Sequence, residues 1–252
     1  MSLVDTNWLE KNINQVKIID CSWHMPTENR NPEEEFKKEH IPSAIFFDLD
    51  KNSKKDTDLP HMLPAKNEWN KIVSNLGISK EDHIIIYDNS NVISSCRCWY
   101  NFIYFGHDPK LVSVLDGGFR KWKQENKKIS NEIIKFSKTN YTGQELTSLV
   151  KDKVKINNNI SKNEFVVIDS RSKERFDGKV PDPRKNVRSG SIPNSICLPF
   201  MQVINEDYSF KNAAELKSLF ENTLEKPTDK PVFSCGSGVT ACVLALAYSL
   251  VN

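Results

Sequence analysis

The residues best suited to chemistry are Cys235-Gly236-Ser237-Gly238-Val239-Thr240. They follow a short apolar run, Pro231-Val232-Phe233-Ser234, and precede an apolar stretch from Thr240 to Leu250 that is expected to be helical. A strand, a glycine-rich loop and a helix start therefore coincide at one thiol. Glycines permit turns that a Cβ would obstruct, so successive amides can face one anion. The positive end of a helix dipole favours a thiolate over a thiol. An isolated cysteine is more often an inert buried thiol; the coincidence of three features argues for a nucleophile. Phosphate-ester chemistry is excluded, because a cysteine phosphatase clamps its phosphate with an arginine at the sixth position after the cysteine, and residue 241 is Ala.

The elements that must position this loop appear twice, as two copies of one pattern. Val16-Lys17-Ile18-Ile19-Asp20 is answered by Phe165-Val166-Val167-Ile168-Asp169. A polar helical stretch with Phe36 is answered by one with Phe176. His40-Ile41-Pro42-Ser43-Ala44-Ile45 is answered by Ser191-Ile192-Pro193-Asn194-Ser195-Ile196. Helices are expected near Asn67–Leu76 and Ala213–Phe220. Ile84-Ile85-Ile86-Tyr87-Asp88 corresponds to Pro231–Cys235, followed by helices near Cys96–Phe105 and Thr240–Leu250. Asp20 and Asp88 are 68 residues apart, Asp169 and Cys235 are 66, so the copies keep nearly the same spacing. Asp88 stands where Cys235 stands in the second copy, and an acid cannot be a sulfur nucleophile.

Short apolar strands alternating with helices predict α/β domains with parallel sheets. The expected division is 1–126, a polar linker of irregular structure at 127–160, and 161–252. The first copy continues through Leu111–Leu115 and Asp116-Gly117-Gly118-Phe119 to Trp122, which reads as a strand, a turn and a closing helix. The second copy has no counterpart before Asn252, so its sheet is expected to be shorter.

Composition narrows the partners. The 252 residues carry a net charge of +2 with lysines interleaved among acids, which does not point to nucleic acid or a membrane surface. No apolar run approaches bilayer length. The stretch Met1–Lys11, with Asp5 and Glu10, does not read as a signal or transit peptide. A cytoplasmic monomer is expected, with a mitochondrial place left open. The six cysteines (Cys21, Cys96, Cys98, Cys197, Cys235 and Cys242) form no C-x-x-C pair, so free thiols are expected rather than a disulfide framework. Cys96 and Cys98 have poor zinc spacing and read as buried thiols.

On these motifs the chain resembles the two-domain rhodanese family, within it the 3-mercaptopyruvate sulfurtransferases. The loop at Cys235 matches that type, with Gly236 and Ser237 where thiosulfate-preferring members carry two basic residues. Further likeness lies in His40-Ile41-Pro42, Phe46–Asp50, His61-Met62-Leu63-Pro64, Ser113–Phe119 and Arg175-Phe176-Asp177-Gly178 through Pro183-Arg184. The resemblance implies tandem rhodanese-like domains, the first non-catalytic and the second catalytic and C-terminally shortened. It implies a persulfide on Cys235, with Arg175 and Arg184 on the substrate's carboxylate and carbonyl. It implies a relay of Ser237, His61 and Asp50 in a cleft between domains, and anion-binding amides at Gly236, Gly238, Val239 and Thr240. Arg171 is read as structural, paired with a carboxylate, and Arg188 as a lesser substrate contact. A small-molecule sulfur donor, a thioredoxin, small-thiol or cyanide acceptor, and no metal or organic cofactor are implied. The rival readings are a thiosulfate sulfurtransferase, sulfur carriage to a dedicated partner such as a tRNA-modifying system, and a rhodanese-like binding protein without activity.

Overall fold

The computed structural model describes residues 2–184, 187–224, 226 and 230–252. The chain folds as two compact units. The first comprises Met1–Thr147 with Glu206–Ser209, the second Ser148–Asn205 with Phe210–Asn252. Met1 itself lies outside the described residues.

In the first unit, strands β1 (Leu3–Val4), β2 (Lys17–Asp20), β3 (Ala44–Phe46), β4 (Ile84–Tyr87) and β5 (Val112–Leu115) form a parallel sheet in the order β1-β5-β4-β2-β3. Helices α1 (Thr6–Asn12), α2 (Pro32–Lys38), α3 (Lys66–Asn75), α4 (Ser95–Tyr104) and α5 (Gly118–Gln124) connect them. Every residue of β4 is buried, as expected of a parallel strand covered on both faces. Side chains alternate between those faces. Ile18, Ile85 and Tyr87 join Phe36, Phe119 and Trp122 in one apolar cluster. Elsewhere in the unit, Trp69 stacks on Phe105 at 4.8 Å and meets Phe102 edge-on at 5.0 Å. Local chemistry sets the helix ends. Asn31 caps α2 through the amides of Glu33 and Glu34, with Pro32 at the first position.

In the second unit, β6 (Val166–Asp169) lies between β7 (Ile196–Cys197) and β8 (Pro231–Ser234), all parallel. The helices are α6 (Lys153–Lys162), α7 (Lys173–Phe176), α8 (Ala213–Thr223) and α9 (Thr240–Ser249). A capping box of Asn212 and Glu215 starts α8. Helix α9 buries Ala241–Leu244, Leu246 and Ala247, and Tyr248 meets Phe220 edge-on at 5.2 Å. The register shows the repeat directly. Asp20 pairs with Tyr87, and Asp169 with Ser234, so Asp88 and Cys235 each follow the strand end at the same point.

Three features differ from the sequence expectation. The two-residue strand β1 adds an edge to the first sheet beside β5. The segment 127–147 belongs to the first unit, and Tyr141 is buried there in a stack on His107 at 5.9 Å. Within the stretch expected to be irregular, Asp152 caps the ten-residue helix α6, which ends at Asn163 in a left-handed conformation.

Candidate active site

Cys235 leaves β8 and enters a loop whose direction is set by Gly238, at φ 77°. The amide of Gly238 donates to Cys235 Sγ at 3.0 Å. An amide aimed at sulfur stabilises a thiolate more than a thiol, since a charged acceptor makes the stronger bond. The carbonyl of the same glycine accepts from Cys242 Sγ at 3.0 Å, one turn into α9. Thr240 fixes the loop from behind, its hydroxyl 2.8 Å from that of Ser170 at the end of β6. Val239 is buried at the helix start.

Two guanidiniums converge on Gly236. A Cβ there would lie 3.5 Å from Arg184 Nη2 and 3.6 Å from Arg175 Nη2, ordinary contact distances, so both guanidinium groups border the loop at this glycine. Arg184 Nη1 donates to the Gly236 carbonyl at 2.5 Å. Arg175 Nε is buried and has no hydrogen-bond partner among the described residues.

Asp182 organises this cluster, a residue that sequence reasoning passed over. Its carboxylate takes Arg184 Nε at 2.9 Å and Arg175 Nη2 at 2.7 Å, with Arg171 Nη1 at 3.8 Å. The Arg184 hydrogen bond leads in holding this carboxyl well below the usual carboxylate range. The available signal was the Pro181-Asp182-Pro183-Arg184 run, in which two prolines stiffen the chain around an acid. Arg171 forms a bidentate pair with Asp169, with Nε at 3.0 Å and Nη2 at 2.7 Å, in keeping with its structural reading. The hydrogen bond with Asp169 leads in raising the pKa of Arg171 above its ordinary value. Arg188 is exposed. Burial, first of all, pushes the Cys197 thiol up.

His61 and Asp50 meet within the first unit, with His61 Nε2 2.8 Å from Asp50 Oδ1. The His61 hydrogen bond leads in lowering the Asp50 carboxyl below its ordinary value. Trp23 Nε1 donates to the other Asp50 oxygen at 3.0 Å and its ring packs edge-on against the imidazole at 4.8 Å. His61 has φ 55°, a left-handed conformation that costs energy for a residue with a Cβ. Arg97 Nη2 holds its carbonyl at 2.6 Å. The remaining ring nitrogen, Nδ1, is buried without a partner among the described residues. Ser237 belongs to the second unit.

The corresponding end of the first sheet is built differently. Asp88 Oδ1 accepts from the Ser90 amide at 2.8 Å, and Oδ2 from the Ser95 amide at 2.9 Å, the first residue of α4. Glu35, beside Phe36, stands where Arg175 stands beside Phe176. A cavity of about 250 Å³ opens there, lined by Asp20, Ser22, Arg30, Glu35, Asn89 and Phe119 among others. It contains no cysteine.

Comparison with known proteins places the fold. Residues 5–125 match the model of the rhodanese-like domain. The chain is 40% identical to thiosulfate/3-mercaptopyruvate sulfurtransferase 1, mitochondrial, of Arabidopsis thaliana, over 97% of this chain and 70% of that protein. It is 36% identical to 3-mercaptopyruvate sulfurtransferase of Mus musculus, over 97% and 84%. The crystal structure of SseA from Escherichia coli, a 3-mercaptopyruvate sulfotransferase, superimposes with a TM-score of 0.90 at 28% identity, covering all of this chain and 95% of that one. Two parallel-sheet units, one ending in a cysteine loop under arginines, define the class as a sulfurtransferase fold. The chain belongs to the two-domain rhodanese family. No helix among the described residues is long and apolar enough to cross a membrane.

Proposed function

We propose that this chain transfers sulfane sulfur from 3-mercaptopyruvate to a thiol acceptor through a persulfide on Cys235. The observation that carries the reading is the meeting, at one loop, of a sulfur hydrogen-bonded by the Gly238 amide and two guanidiniums beside Gly236. The thiolate attacks the substrate sulfur, forming the S–S bond. The carbon–sulfur bond breaks with its electron pair staying on carbon, so pyruvate leaves as an enolate and is then protonated. Arg175 and Arg184 hold the carboxylate and the oxygen on which the enolate charge develops. The orphaned Arg175 Nε is a donor ready for that role. An acceptor thiolate then attacks the outer sulfur and returns Cys235 as thiolate.

Proton delivery is assigned to Ser237, with His61 and Asp50 as its relay. The support is the His61–Asp50 pair and the unpartnered Nδ1, the nitrogen left to act as base. His61→Asn is expected to lower kcat roughly a hundredfold or more while leaving persulfide formation from a low-pKa donor largely intact. An equal loss with every donor would remove the relay from the account.

Thiosulfate is the second donor to weigh, because the Arabidopsis relative's name carries both. Gly236 and Ser237 bring no cation to the loop, which favours the monoanionic keto acid. Steady-state kinetics with both donors tests the order. A larger kcat/KM with 3-mercaptopyruvate supports the reading, and a larger value with thiosulfate reverses it.

A further inference from the structure

The mechanism uses Arg175 and Arg184 but gives Asp182 nothing to do, although its side chain is only 1% exposed amid three guanidiniums. Its Oδ1 accepts from Arg184 Nε at 2.9 Å and from the Arg184 amide at 3.1 Å. Its Oδ2 accepts from Arg175 Nη2 at 2.7 Å and Arg184 Nη2 at 3.3 Å. The only other carboxylate paired with these arginines among the described residues is Asp169, which is occupied by Arg171. Among the described residues, three guanidiniums therefore face two carboxylates, a surplus of one positive charge before Cys235 ionises. Both donors proposed above are anions of similar size, but one carries a single charge and the other two.

We propose that Asp182 determines donor specificity. By neutralising one guanidinium beside the Cys235 loop, it limits the cradle to one net positive charge and so selects monoanionic sulfur donors over dianionic ones. The inference rests on the assignment of Arg175 and Arg184 to the donor. The physical argument is Coulombic. Removing the Asp182 charge adds one positive charge a few ångströms from the bound anion, in a partly buried site. A dianion gains twice what a monoanion gains, so selectivity moves by the worth of one charge–charge interaction, roughly tenfold or more. Holding two arginines in place is a different role, because its loss would weaken both donors alike.

The test compares Asp182→Asn and Asp182→Ser, which remove the charge, with Asp182→Glu, which keeps it. The first readout is the ratio of kcat/KM for thiosulfate to that for 3-mercaptopyruvate. The second is calorimetric binding of sulfate and of pyruvate to the same variants carrying Cys235→Ser, which needs no sulfur transfer. The expected result is a ratio shifted roughly tenfold or more toward thiosulfate in the neutral variants and unchanged in Asp182→Glu. Sulfate should gain on pyruvate by a similar factor. Equal losses for both donors with an unmoved ratio, or anion affinities that ignore the Asp182 charge, would overturn the proposal. If the unaltered chain transfers sulfur from neither donor, the functional reading fails, while the calorimetric arm still decides the role of Asp182.

Discussion

The loops after β4 and β8 start at the same register point and solve the same electrostatic problem with different atoms. In each, backbone amides after the strand face a buried or half-buried acceptor. At β4 the acceptor is the Asp88 carboxylate, fixed by the Ser90 and Ser95 amides. At β8 it is the Cys235 sulfur, touched by the Gly238 amide. A carboxylate brings its own permanent charge and completes the loop as structure. A sulfur in that place can form a new bond, and in the proposed function it makes the same loop chemical. The surroundings follow suit: Asp169 has Arg171 where Asp20 has Ser22, and Arg175 occupies the place that Glu35 takes in the first copy. One fold thus supplies the cradle, and a few side chains decide whether it stores an anion or reacts through one.

This comparison can be broken most sharply at the acceptor atom. Cys235→Ser should lower turnover by at least about a thousandfold, because the hydroxyl has neither the acidity nor the sulfur affinity of the thiol. Asp88→Cys in the same assay should add no detectable activity, since Glu35 stands in place of the arginine. A gain from Asp88→Cys would show that the surroundings matter less than the nucleophile.

The next effect is on stability. Burial, ahead of all else, pushes the Asp20 carboxyl up from 3.8 to about 7, whereas Asp169 has a guanidinium. The folded chain then keeps a proton that the unfolded chain has lost between those values. Stability from this group is full below pH 4, falls as pH rises toward 7, and stays low above it. Three pKa units correspond to about 4 kcal/mol at most. Asp20→Asn should flatten that decline in denaturant titrations from pH 4 to 8. An unchanged slope would mean that the hydrogen bond from Ser22 outweighs burial.

Smaller again is the structural worth of Asp88. Asp88→Ala leaves the Ser90 and Ser95 amides without their acceptor and should cost about 1–3 kcal/mol in chemical denaturation. The smallest effect is expected from Arg184→Lys, which keeps the charge but loses the fork. A kcat/KM for 3-mercaptopyruvate lowered about tenfold, with KM raised and kcat reduced as well, is the expected result. A KM that does not move would take Arg184 out of substrate binding.

Much of this was legible from residue order because the repeat is carried by local patterns. The buried run Ile84-Ile85-Ile86 has one reading, and the pairing of Asp88 with Cys235 in sequence reappears as strand register. The arginines beside the loop came from the family resemblance and not from a local pattern, and the structure brings Arg175 and Arg184 to Gly236. What escaped depends mainly on contacts that exist only in the folded chain. Asp182 earns its importance from three arginines that lie 2, 7 and 11 residues away along the chain and converge only on folding. Strand β1 is two residues long, and its pairing with Leu115 depends on a partner more than a hundred residues distant. Helix α6 was hidden by three asparagines in its centre, which lower intrinsic helix propensity, and is anchored instead by the cap at Asp152 and by Asn159 bonding to Phe165.

The most direct test of the central claim is intact-mass spectrometry of the chain after incubation with 3-mercaptopyruvate, with Cys235→Ser alongside. The account predicts a gain of about 32 Da, one sulfur atom, that is lost on treatment with a thiol reductant and absent from the variant. A sulfur adduct of equal size on Cys235→Ser, or no adduct on the unaltered chain with either donor, would contradict it.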